Sequence, residues 1–291
     1  MSILKLESVV KTYQKHTAVD QVSFEMPQGC IFGLLGPNGA GKTSLIRIIT
    51  TITRADSGTV YLDGEKLNSK HASAMRCLPE ESGLSKKRKV REQLLYLAQL
   101  KGLPNTRAKK EIDHWLEKFE IKDWIPKKVQ ELSKGMQQKI QFIATVIHRP
   151  KLLILDEPFS GLDPINTNLI KDEIRALNKE GTSIIFSTHR MEQVEEICEK
   201  IVLINKGQNV LEGSVQDIKQ QFKENLFKIE YEGDLPSDLE AMDAANKAFE
   251  IKSKQNGAIV VKVNEESVSN AVLNHLMQKG LYIRSFNEIL P

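Results

Sequence analysis

The chain has 291 residues, enough for one large domain or one large and one small. Its 41 Lys and Arg against 38 Asp and Glu leave a formal charge of +3, too little to argue for nucleic acid or a strongly acidic substrate. The three cysteines, Cys30, Cys77 and Cys198, are far apart, which excludes a disulfide framework or a cysteine-rich zinc site and points to a reducing, cytosolic compartment. The start, MSILKLESVVKTY, lacks the apolar core of a secretory signal. No apolar run approaches the ~20 residues that span a bilayer, so work at a membrane requires another chain to hold this one there.

In chain order, residues 3–10 and 21–26 read as short strands. In VSFEM, Val22, Phe24 and Met26 alternate with Ser23 and Glu25, as on a half-buried antiparallel strand. Tyr13 falls in the connection between them. It is either a partly buried aromatic or a flat ring able to stack on a nucleotide base.

An apolar run, Cys30 to Leu35, then leads into GPNGAGKT, Gly36 to Thr43, and an amphipathic run, Ser44 to Ile49. Strand, glycine-rich loop and helix are the context in which a phosphate-binding loop is credible. Glycines at 36, 39 and 41 permit backbone conformations that turn the loop amides inward around an anion, and the helix N-terminus adds positive potential. Lys42 is expected to reach the β- and γ-phosphates, and the Thr43 hydroxyl to bind Mg²⁺. The candidate nucleotide contacts are Gly36, Pro37, Asn38, Gly39, Ala40, Gly41, Lys42, Thr43 and Ser44.

SGTVYLDGEKL reads as a further strand with a turn at Asp63–Gly64, so an antiparallel layer is expected beside the phosphate-loop core. Cys77 to Leu84 reads as a loop punctuated by Pro79 and Gly83. Lys86 to Lys89 form a basic run, read as a solvated face with phosphate or lipid contact as the alternative. Val90 to Lys101 and Thr106 to Phe119 read as helices of a projecting layer. Glu131 to Pro150 is a helix capped by Ser133, with Ile140, Ile143, Ala144 and Ile147 on one face. A plain cap does not account for Leu-Ser-Lys-Gly-Met at its start.

Leu152 to Leu155 is an unbroken apolar run, as in a central parallel strand, and it ends in adjacent carboxylates, Asp156 and Glu157. Ligands of open α/β sheets bind beyond the carboxyl ends of strands, so both belong near the phosphate loop. Strand alternation aims them apart: Asp156 at the Mg²⁺ shell, Glu157 at the attacking water. Pro164 to Lys179 is a helix closed by Gly181. Thr182 to Ser187 is a strand, with His189 just past its end at the same ligand edge. Glu192 to Lys200 reads as a helix and Ile201 to Leu211 as a hairpin around Lys206–Gly207.

Together these segments resemble the ATP-binding subunit of ABC transporters over residues 1 to about 220. Tyr13 stands where that family stacks an aromatic on adenine. GPNGAGKT matches the Walker A loop, LSKGM (Leu132 to Met136) the signature motif, LLILDE Walker B, SGLD (Ser160 to Asp163) the D-loop, and His189 the switch histidine. The resemblance implies a P-loop NTPase fold of the ABC ATPase type: parallel core sheet, antiparallel β layer and helical layer. It implies hydrolysis of Mg²⁺-ATP, with Glu157, His189 and Lys42 catalytic. Two subunits pair head to tail, as a homodimer, with Ser133, Gly135 and Asp163 of one copy closing the other's nucleotide site. It implies a separate integral-membrane permease of the efflux type, no nucleic-acid partner, and a place on the inner face of the cell membrane. The family's lid glutamine matches Glu80, a harder, charged ligand, and Lys134 and Met136 depart from the usual LSGGQ. Two other readings are a soluble ABC protein acting on ribosomes or DNA, and an ATP-binding regulatory switch. The single phosphate loop and the complete set of Lys42, Asp156, Glu157 and His189 argue against them.

Residues 221–291 form a second, small α+β unit. LFKIEYE, FEIKSK, AIVVKVN and Leu281 to Phe286 read as strands, Glu266 to Lys279 as a helix, and Leu239 to Ala245 as a short helix. The order β-α-β-β-α-β is ferredoxin-like. It resembles the accessory domain of this ABC branch, read as a dimerisation or stability module rather than a ligand sensor.

Overall fold

The computed structural model describes residues 1–79, 83–235, 249–263 and 266–289. The chain divides into two units, Met1–Val215 and Gln216–Pro291.

The first unit is built on two sheets. β1 (Ser2–Tyr13) and β2 (His16–Pro27) are long antiparallel partners, and β4 (Ser57–Leu62) and β5 (Glu65–Lys66) extend them in the order β2-β1-β4-β5. These strands run further than the alternation in VSFEM suggests, so Tyr13 ends a strand opposite His16 rather than lying in an open connection. The second sheet carries β3 (Ile31–Leu35), β6 (Met75–Leu78), β7 (Leu152–Asp156), β8 (Ser183–Thr188), β9 (Lys200–Asn205) and β10 (Gln208–Ser214). Its order is β10-β9-β3-β8-β7-β6, parallel from β9 to β6 with an antiparallel edge at β10. The edge strand β6 corrects the reading of Cys77 and Leu78 as loop: Met75–Leu78 pair in register with Leu152–Leu155. Strands β3, β7 and β8 are buried almost throughout, as parallel strands covered on both faces must be.

Between the two sheets lies α1 (Lys42–Ile49), which buries Leu45, Ile46, Ile48 and Ile49. Phe24 of the antiparallel layer stacks on Phe32 of the parallel sheet, ring centroids 5.4 Å apart, joining both layers in one core. Each such side chain contributes roughly 1.5–3 kcal/mol by leaving water, so the helix that follows the phosphate loop is fixed by packing and not by its own short length. The helical layer contains α2 (Val90–Leu100), α3 (Asn105–Lys118) and α4 (Lys134–Val146), tied by Trp115, Phe119 and Phe142. α5 (Pro164–Lys179) and α6 (Met191–Ile197) follow β7 and β8. A 2.6 Å ion pair between Lys118 and the buried Glu173 links α3 to α5.

The second unit opens within α7 (Val215–Gln221). Its sheet is wholly antiparallel: β11 (Leu226–Glu232), β12 (Phe249–Gln255), β13 (Ala258–Val263) and β14 (Tyr282–Ile289), in the order β12-β13-β11-β14. Helix α8 (Glu266–Gln278) contributes Val272 and Leu276 to the core with Ile229, Ile259 and Val261. The helix expected at 239–245 lies outside the described residues. Among the described residues no helix is long and apolar enough to cross a membrane.

Candidate functional site

Parallel strands β3, β8 and β7 are neighbours, so whatever follows them emerges along one edge. That edge brings together the loop after Leu35, the carboxylates at 156 and 157, and His189, which lie far apart in the chain. A cavity of about 290 Å³ is lined by Tyr13, His16, Ala18, the loop residues Asn38 to Ser44, Asp156 and Glu157.

The loop has the backbone its glycines allow. Gly36, Gly39 and Gly41 have φ of 150°, 80° and 111°. At two of them space is decisive as well: a Cβ on Gly36 would stand 2.1 Å from the Ile204 carbonyl oxygen, and one on Gly41 2.3 Å from that of Ala18. Lys42 is 8% exposed, and its ammonium donates to the Gly36 carbonyl at 2.6 Å and the Pro37 carbonyl at 3.2 Å. A buried cation is thus held inside the loop's own ring of backbone groups, pre-positioned for an anion. Tyr13 is 38% exposed at the rim, with Lys11 over its ring.

Both carboxylates are held by β8. Ser187 Oγ donates to Asp156 Oδ1 at 2.7 Å. Glu157 sits just past β7 with φ 47°, an uncommon conformation for a side-chain-bearing residue, pinned where its N–H donates to the Ser187 carbonyl at 2.9 Å. Its Oε2 accepts from Thr188 Oγ1 at 3.1 Å, and its Oε1 accepts from the His189 N–H at 2.9 Å. His189 Nδ1 approaches the same Oε1 at 2.6 Å. A carboxylate accepts only, so Nδ1 carries the proton, and a neutral ring then presents a lone pair at Nε2. The Thr188 and Ser187 clasps were not singled out in the sequence, although two hydroxyl residues closing the apolar strand SIIFST were the available signal.

The remaining candidates lie elsewhere. Ser133 caps α4, its Oγ accepting from the Met136 N–H at 3.3 Å. Gly135 lies near the Gly161 carbonyl, and the aliphatic stem of Lys134 runs beside Gly161. Asp163 caps α5, and the Asn166 N–H and side chain hold its carboxyl below the usual range. None of these three lines the cavity with the phosphate loop. Glu80 lies outside the described residues. Its neighbour Pro79 is tied to α4 by Gln141 Nε2, which donates to the Pro79 carbonyl at 3.1 Å. Burial pushes the Cys30 thiol up to about 11 and that of Cys77 to about 12, so neither is a nucleophile near neutrality.

Comparison with known proteins agrees with this geometry. The profile "ABC transporter" matches residues 19–160, and "ATP-binding protein DrrA1-3-like, C-terminal domain" matches 213–291. An uncharacterised ABC transporter ATP-binding protein of Bacillus subtilis (strain 168) is 42% identical over 98% of this chain and 93% of its own. The chain belongs to the ATP-binding subunits of ABC transporters. Further relatives are a linearmycin resistance ATP-binding protein of the same organism, 34% identical over 74% of this chain and 70% of its own, and Nod factor export ATP-binding protein I of Burkholderia thailandensis, 35% identical over 72% and 70%. A solved ATP-binding subunit of an ABC transporter superposes with a TM-score of 0.71 at 26% identity, covering 76% of this chain and 93% of that one. A dimeric cassette in a post-hydrolysis state with ADP and Pi shares the fold, TM-score 0.67 at 21% identity over 73% and 98%. This ABC subunit binds and hydrolyses ATP, and subunits of its family dimerise and work with membrane permeases.

Proposed function

We propose that two copies of this ABC ATPase close head to tail around Mg²⁺-ATP and thereby drive a separate membrane subunit that exports its cargo. The observation that carries the reading is the clasp on Glu157, a carboxylate strained into the phosphate-loop cavity and oriented from two sides by Thr188 and His189. In the reaction, Glu157 accepts a proton from a water molecule whose oxygen bonds to the γ-phosphorus. The bond from that phosphorus to the β–γ bridging oxygen breaks, giving ADP and phosphate. Lys42 draws negative charge from the γ-phosphate, and the loop amides hold the β-phosphate. For His189 to donate to the γ-phosphate from Nε2, its ring must be doubly protonated or give up Glu157.

The donor set fits Mg²⁺. Thr43 and Asp156 supply hard oxygens in one cavity, and no cluster of three or more His, Cys, Asp or Glu among the described residues competes as an all-protein cage. Two protein ligands completed by phosphate oxygens and water suit Mg²⁺. The ion would neutralise charge between the β- and γ-phosphates.

Ser133 and Gly135 stand at the N-terminus of α4, a good place for a γ-phosphate, yet they do not line this copy's phosphate-loop cavity. That separation supports a site completed by the second copy. Export follows from the relatives named for linearmycin resistance and Nod factor export. The membrane subunit is expected at the apolar groove of about 350 Å³ lined by Ile52, Met75, Pro79, Leu84 and Leu97. The second unit, with its 2-3-1-4 strand order, is read as a ferredoxin-like dimerisation or stability module.

The test is the size of purified Glu157→Gln with and without Mg²⁺-ATP, measured by light scattering after gel filtration. Expected is a monomer without nucleotide and a stable dimer with it, because the substitution removes the base and leaves the phosphate contacts. A variant that binds ATP and stays monomeric with the membrane subunit present would refute the head-to-tail reading.

A further inference from the structure

The basic run Lys86 to Lys89 has no place in the site described above. The fold gives it a partner. Residues 86–90 and 127–130 pair antiparallel through a bridge between Lys89 and Lys128. Val90 N–H donates to the Lys127 carbonyl at 3.0 Å, Val129 N–H to that of Arg88 at 3.0 Å, and Gln130 N–H to that of Lys86 at 3.0 Å. Val90 and Val129 turn inward and are fully buried, while Lys86, Lys87, Lys89, Lys127 and Lys128 all face solvent. A short two-stranded ribbon thus gathers five lysines, with Arg88 stacked over the half-exposed Tyr96 ring at 4.0 Å.

Among the described residues, neighbouring groups offset this ribbon only in part. Asp113 is taken by Arg91, whereas Glu131, whose Oε2 accepts from the Lys128 backbone N–H, keeps its charge beside the ribbon. No ion pair links any of the five lysine ammoniums to a carboxylate among the described residues. Glu92 is a further carboxylate close by in the chain, in the first turn of α2. Six cations thus gather on two paired segments of a chain whose formal charge is only +3.

We propose that this ribbon is a direct contact for anionic lipid headgroups, made by the ATPase itself in addition to its contact with the membrane subunit. Lysines suit such a surface: flexible stems carrying point charges follow mobile headgroups, whereas a fixed carboxylate is better matched by a rigid guanidinium fork. Tyr96 supplies the amphipathic ring that sits at a headgroup boundary. The ribbon also continues in the chain from Gly83 and Leu84, which line the groove assigned to the membrane subunit, so docking there would bring the lysines beside the bilayer. Only this last point rests on the proposed transport role.

The experiment is co-sedimentation of the full chain, without nucleotide or membrane subunit, on vesicles of phosphatidylcholine alone or mixed with phosphatidylglycerol. Binding is expected only to the mixed vesicles and should weaken as salt rises. With about a fivefold contribution from each lysine at an anionic surface, Lys87→Gln with Lys127→Gln, one on each segment, should lower the partition about 25-fold. Arginine at both positions should retain it, and Lys109→Gln with Lys110→Gln on α3 should leave it unchanged. Thermal melting checks that each variant is folded. Equal binding to both vesicle types, no loss in the 87/127 variant, or an equal loss in the 109/110 variant overturns the proposal. So does intact vesicle binding with failed co-purification of the membrane subunit, which would make the ribbon a protein contact. ATP turnover is not read in this assay, so its outcome is separable from that of the Glu157 test.

Discussion

Thr188→Val tests how much of the reaction depends on holding Glu157 still. Thr188 is fully buried, and its Oγ1 donates to Glu157 Oε2 at 3.1 Å while accepting from the Arg190 N–H at 3.2 Å. Valine keeps the branched shape and the packing and removes only the hydroxyl. A hydrogen bond to a charged group contributes about 1.5–3 kcal/mol, and tenfold in rate corresponds to about 1.4 kcal/mol. Glu157 Oε1 keeps the His189 N–H at 2.9 Å, so one side of the clasp survives. The expected loss is therefore roughly 10- to 100-fold in kcat for ATP. KM should barely move, because Thr188 does not line the phosphate-loop cavity. Thr188→Ser should recover most of the rate, and in a Glu157→Gln background the valine should cost almost nothing further. Phosphate release under steady-state conditions reads all three. An unchanged kcat, a serine variant as slow as the valine, or full additivity with Glu157→Gln would refute the clasp.

Two further predictions come from backbone space and from a buried ring. Gly36→Ala would drive a Cβ to 2.1 Å from the Ile204 carbonyl at φ 150°, which costs at least ~2–3 kcal/mol, so the melting temperature should drop by roughly 5–10 °C. An unchanged melting temperature would mean that the loop and β9 separate freely. The ring of His148 is pushed down to about 4 by burial and then by Lys101 and Arg76, and neither of its nitrogens has a hydrogen-bond partner among the described residues. The unfolded chain binds this proton below its ordinary value near 6.5 and the folded chain does not, so stability falls as pH drops from 6.5 towards 4. His148→Gln should flatten that fall by an amount on the order of 1 kcal/mol in urea denaturation at pH 4.5 against pH 7, after allowing for solvent screening. A variant as acid-sensitive as the parent would assign the loss to other groups.

Chemistry carried by consecutive residues was legible before the fold was known. A glycine-rich loop between an apolar strand and a helix, or two carboxylates closing a buried strand, depends on neighbours in the chain, and Asn38 to Ser44, Asp156 and Glu157 do share one cavity. The limits of short elements were harder to read. The edge strand Met75–Leu78 has only four residues, with Arg76 and Cys77 half-buried in its middle, and is recognisable only once β7 pairs with it. The wide hairpin of β1 and β2 is broken by register shifts that blur its alternation, which hid its length and the place of Tyr13 at its tip.

By itself, then, the order of residues determined the loop, its lysine, the paired carboxylates and the histidine past a strand end, because local backbone freedom and hydrophobic runs set those features. Tertiary structure alone decided which of them touch. The sheet order β3-β8-β7 lays Ser187 and Thr188 against carboxylates some 30 positions away and turns Glu157 into an oriented base. It also folds residues 127–130 onto 86–90, making one cationic ribbon of the basic run Lys86 to Lys89 and the lysine pair Lys127–Lys128. Contacts of this kind depend on strand neighbours and crossovers chosen by burial over the whole core, and no window of sequence contains them.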